Sequence, residues 1–117
     1  TTGGTSVSTL VSAASTNATS VKASAGTIYG IQVGNTNAAA RYLKIFDKAS
    51  APTPGTDTVL AQFIIPGNTA GAGSNVALPP QGLACGTGIG FAITTGMALN
   101  DTGAVGATEV CVNLEYA

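Results

Sequence analysis

The chain has 117 residues, enough for one compact domain with one modest core. Hydrophobic residues make up 44%, charged residues only 8%, and the net charge is −1, which excludes a disordered chain and leaves little of the repulsion that keeps proteins apart. Histidine is absent, so the commonest general base, the usual Ser and Cys triads and the commonest metal ligand are all missing, and no enzymatic activity, cofactor or metal is expected.

Residues 1–26 are rich in Thr, Ser and Ala. They read as an N-terminal arm or as first strands, Ser6 to Ser12 and Thr19 to Ala23, belonging to the same unit as a β-sandwich domain over residues 27–117. As an arm, this polar segment would reach along a neighbouring subunit and order on contact. Thr1 to Thr5 carry neither the charged n-region nor the apolar h-region of a secretory signal.

From there on, apolar residues recur with period 2 rather than 3.6. Tyr29, Ile31 and Val33 alternate with Gly30 and Gln32, so all three point to one side. Tyr42 to Phe46 and Val59 to Ile65 are apolar on both faces: Leu43 and Ile45 oppose Tyr42 and Phe46, and Val59, Phe63 and Ile65 oppose Leu60 and Ile64. Strands of that kind need cover on both sides, either from a loop or from another subunit. Asn75 to Leu78 is a weaker strand. Ile89, Phe91 and Ile93 alternate with Gly90, Ala92 and Thr94, and in Glu109 to Tyr116 the residues Val110, Val112, Leu114 and Tyr116 alternate with polar ones. Turn-forming segments lie between, among them Gly34 to Asn37, Ser50 to Gly55, Pro66 to Asn68 and Asn100 to Gly103. About eight short strands with polar connections predict an all-β, two-sheet antiparallel sandwich of jelly-roll or Greek-key type. An immunoglobulin-like sandwich is the second choice, weakened by the absence of Trp.

No run reaches the ~18 to 20 strongly apolar residues of a membrane helix, so no membrane partner is expected. Asp101-Thr102-Gly103 matches the active-site triplet of aspartic proteases, but too little chain follows it for the rest of such a fold, and an ordinary turn accounts for it. Gly86-Thr87-Gly88-Ile89-Gly90 resembles a phosphate loop, yet no Lys-Ser or Lys-Thr follows. Asp57 and Asp101 lie in separate turns and make no calcium loop. Cys85 and Cys111 read as free thiols, with a bridge left open. Asn17-Ala18-Thr19 and Asn100-Asp101-Thr102 match the glycosylation pattern. Arg41, Lys44 and Lys48 could form a small positive patch that suits an acidic partner better than nucleic acid, given the net charge.

The segment from Tyr42 through Phe46-Asp47-Lys48-Ala49 to Ala51-Pro52-Thr53-Pro54-Gly55-Thr56-Asp57 resembles a motif of small structural proteins from tailed-bacteriophage virions. The order of the later strands, with the Pro79-Pro80-Gln81-Gly82-Leu83 approach, is similar too, so that the resemblance runs from Thr27 onward. It implies a capsid decoration (cement) protein on the virion surface, made in the host cytoplasm. Its partners would be the major capsid protein or other virion subunits and further copies of itself, as a dimer or trimer. Tyr42, Phe46, Leu60, Ile64, Arg41 and Lys44 are the expected interface. The alternative is a receptor- or carbohydrate-binding module of a tail or head fibre, for which Tyr29, Tyr42 and Tyr116 are the available aromatics; all three are expected in the core or an interface.

Overall fold

The computed structural model describes residues 4–117; of the opening segment considered above, residues 1–3 lie outside the described residues. Nine strands follow in order: β1 (Ser6–Val11), β2 (Thr19–Lys22), β3 (Gly26–Asn35), β4 (Arg41–Asp47), β5 (Ala61–Ile65), β6 (Ala72–Val76), β7 (Leu83–Cys85), β8 (Ile89–Thr94) and β9 (Val110–Tyr116). One sheet has the order β1-β9-β3-β6, with β7 also on β3; the other has the order β2-β8-β4-β5. β6 pairs with Ile31 to Asn35 and β7 with Gly26 to Ile28, so these two strands share one edge of β3 end to end and fill a single strand position. Counted so, the chain makes eight strand positions, four to a sheet, and its path between the sheets is that of a jelly roll. The expected two-sheet antiparallel sandwich is the architecture found.

Alternation explains the core. Ile31, Val33, Val112 and Leu114 from one sheet meet Leu43, Ile45, Ile65, Phe91 and Ile93 from the other, and all are buried. At ~25 cal/mol per Å² of apolar area, each such side chain contributes about 1.5–3 kcal/mol on burial. Arg41 closes one end of the sandwich: its Nε donates to Glu109 Oε2 at 2.6 Å, tying the start of β4 to the residue before β9. Asn37 Nδ2 donates to the other oxygen of Glu109 at 2.8 Å.

Of the two forms expected for the opening segment, the described residues 4–26 take the second, first strands: β1 lies antiparallel on β9 and β2 on β8 as edge strands of the molecule's own sheets. Two details differ from expectation. Strand β7 was not foreseen, and β6 starts earlier than the expected Asn75 to Leu78. Finally, the pairing of β3 with β9 slips between Ile28 and Gly30, a bulge that changes the phase of the strand. Ile28, Ile31 and Val33 therefore point inward, while Tyr29, expected on their side, is 45% exposed.

Candidate functional site

The outer face of the β2-β8-β4-β5 sheet carries the two-sided strands. Tyr42, Lys44 and Phe46 point outward from β4, in register with Thr94, Ala92 and Gly90 of β8. The loop after β4 folds back over this face. Pro52 packs so close to Gly90 that a Cβ there would lie 3.2 Å from the proline ring. Asp57 clasps that loop, accepting from Thr53 N and from Lys48 Nζ, each at 2.6 Å. Phe46, opposite Gly90 in register, is 1% exposed. The second cover of this strand is thus the chain's own loop, and Phe46 has no surface to offer a partner.

Lys44 is also withdrawn, being fully buried. Its Nζ donates to Thr94 Oγ1 and to Gly96 O, so it anchors the loop between β8 and β9. Burial pushes its pKa down, and the charge of Asp101 opposes part of that shift. With Arg41 on Glu109 and Lys48 on Asp57, the expected positive patch is dispersed into three internal attachments.

Of the residues expected at an interface, Leu60, just before the edge strand β5, and Ile64, within it, are 44% and 58% exposed. Met97 and Leu99 in the β8–β9 loop are 62% and 59% exposed. That loop is bound to the same face through Gln62, which sits between Leu60 and Ile64 and donates Nε2 to Met97 O at 2.8 Å. The Gln62 Oε1 is buried without a partner among the described residues. Tyr42 lies opposite Ile64 in register and is partly exposed. Sequence reasoning missed Met97 and Leu99 because nothing in an irregular loop shows which way a side chain points.

The catalytic and ligand motifs resolve into structure. Asp101 Oδ2 accepts from Gly96 N and Gly103 N, both at 3.0 Å, which makes Asp-Thr-Gly the expected turn. The Gly86 to Gly88 loop does gather backbone N–H groups around an anion, but the anion is Asp47. Its carboxylate accepts from Gly86, Thr87 and Gly88 at 3.1, 2.8 and 3.2 Å, and the bonds from Thr87 and Gly88 do most to hold its pKa below the ordinary value. Asn17 is buried, with Oδ1 accepting from Ala13 N and Nδ2 donating to Ala13 O and Ser15 O, so it is closed to a glycosylating enzyme in the folded chain. Cys85 lies opposite Gly26 and Cys111 opposite Gly34, at the two ends of β3. Eight residues of strand separate them by about 26 Å, and both are free thiols.

These features define an all-β jelly-roll sandwich with an apolar cluster at one edge of one sheet. A scan against protein-family models, a search of curated proteins and a search of solved structures each give no match.

Proposed function

We propose that this chain is a structural subunit of a tailed-phage virion, most simply a capsid decoration protein that docks on the shell through Leu60, Ile64, Met97 and Leu99. The observation that carries this reading is the cluster itself: large apolar side chains on one side of a chain with only four basic and five acidic residues. Apolar groups gathered in this way mark a surface that is covered in use. A covering partner that supplied one N–H or O–H would also satisfy the buried Gln62 Oε1. Jelly rolls serve in capsid shells and in lectins, so the fold suits the role without selecting it. The mechanism is additive burial. At ~25 cal/mol per Å², modest contacts repeated over a lattice strengthen a shell without any single strong site.

The test is particle survival together with one substitution. Capsids without the protein should release DNA at lower temperature than decorated ones, and Ile64→Asp should prevent decoration while leaving the melting temperature of the free protein unchanged. Equal survival of bare and decorated capsids, or full decoration by Ile64→Asp, would overturn the reading.

A further inference from the structure

The other sheet presents a different surface on the opposite side of the molecule. Outward positions of its four long strands fall into register rows. Thr9 of β1 lies opposite Asn113 of β9, Asn113 opposite Gln32 of β3, and Gln32 opposite Asn75 of β6. One hydroxyl and three amides therefore cross the whole sheet in a single line, about 14 Å long at ~4.8 Å per strand. Much of their bonding capacity is unspent. Thr9 Oγ1 donates to Asn113 Oδ1 at 2.9 Å and Gln32 Nε2 donates to Glu115 Oε1 at 3.3 Å. That leaves Asn113 Nδ2, Gln32 Oε1 and the whole amide of Asn75 with no side-chain partner among the described residues.

Beside this line the sheet is hollowed. The next row holds Gly34 opposite Gly73, and a shallow depression of about 370 Å³ opens over Gln32, Val33, Gly73, Ser74 and Asn75. Packing does not require a glycine at position 34. Its φ lies outside the left-handed region, and a Cβ there would meet only Ala72 O, at an ordinary 3.7 Å. Glycine within a strand costs stability, roughly 0.5–1 kcal/mol, and a strand glycine free of a bulge or bend is one of the places where a ligand can approach the backbone closely. The face bears Glu115 and no basic side chain in these rows, which disfavours an anionic ligand. Tyr29, turned out by the bulge, is an exposed ring three residues along the same strand from Gln32.

We infer that this face is a binding site for a neutral oligosaccharide, which lies along the Thr9–Asn113–Gln32–Asn75 row and reaches into the depression at Gly73, passing over Gly34 on the neighbouring strand. Amides that donate and accept side by side match sugar hydroxyls, which do the same, and an aromatic ring gives a sugar face something to stack on. The inference stands apart from the docking cluster, which uses the opposite sheet. The experiment is saturation-transfer NMR on the full chain with cellohexaose, maltohexaose, mannohexaose and chitohexaose, with a heparin hexasaccharide as the anionic control. At least one neutral hexasaccharide should bind with Kd in about the micromolar to millimolar range. Gln32→Ala and Gly34→Val should each weaken it roughly tenfold or more, with the fold intact by circular dichroism. Ile64→Asp should bind sugar as the unaltered protein does, which separates failure here from failure of the docking reading. Binding by none of the neutral sugars, binding only by heparin, or undiminished binding by both Gln32→Ala and Gly34→Val would overturn it.

Discussion

Lys44 shows how a charge reads differently inside and outside a fold. In sequence it is one of three basic residues within a short stretch; in the structure it is a buried anchor whose bonding partners, Thr94 Oγ1 and Gly96 O, are also bonded to each other at 3.1 Å. Lys44→Met would leave that second bond in place and relieve the cost of burying a charge, so it should be neutral or stabilising by up to about 2 kcal/mol at pH 7 in thermal unfolding. Lys44→Ala, which leaves a cavity as well, should instead lose about 2 kcal/mol. The pH dependence has a definite sign. The folded-state pKa of Lys44 is lowered, so stability grows as pH rises through that value toward the ordinary 10.5, and the gap between Lys44→Met and the unaltered protein should close over that range. Arg41 is held at the sandwich end by Glu109; Arg41→Ala should cost about 1–2 kcal/mol in denaturant unfolding. At the cysteines, a thiol reagent should label Cys111, which is partly exposed, well before the buried Cys85, and both should react in unfolded, unreduced protein.

At the scale of elements, what period 2 could reveal was revealed. The inward residues of β8 and β9 were readable because large apolar residues alternate strictly with small or polar ones, and the two-sided character of β4 was visible in Tyr42 and Phe46 against Leu43 and Ile45. The nature of the outer cover was not visible. That Pro52 would lie on Gly90 depends on a loop path set by Asp57 and Lys48, and no local pattern encodes that path. Tyr29 was misplaced for a different reason. A bulge adds one residue to one strand, and a period extrapolated across it inverts; Gly30 inside the strand was the sole local sign. The exposed apolar cluster was half legible: Leu60 and Ile64 followed from the alternation of Val59 to Ile65, whereas Met97 and Leu99 lie in a loop without period. The amide row was illegible, since it joins residues 9, 32, 75 and 113 only through the register of three strand pairs.

For the whole molecule, acid is the revealing condition. Asp47, Asp57 and Glu109 are all held below their ordinary pKa values, Asp47 by the loop N–H groups, Asp57 by Lys48 and Thr53, and Glu109 by Arg41 and Asn37. The unfolded chain therefore takes up more protons than the folded one, so the stability these groups give is complete above the ordinary carboxylate range, about pH 4–5, and drains away as pH falls through the folded values. Melting temperature recorded from pH 7 to pH 2 should be flat and then fall, and Asp47→Asn should show a shallower fall. A second whole-molecule property follows from wiring. β1 has no strand to lie on until β9 exists, and β2 none until β8 exists, so the earliest strands to emerge wait for the last. Closure across nearly the full length of chain is entropically slow, and refolding should occupy milliseconds to seconds rather than microseconds. During that wait the first two strands are unclaimed ribbons, and in a crowded preparation the vacant berth of one copy can be taken by the strand of another, which makes exchanged dimers the characteristic error of this topology.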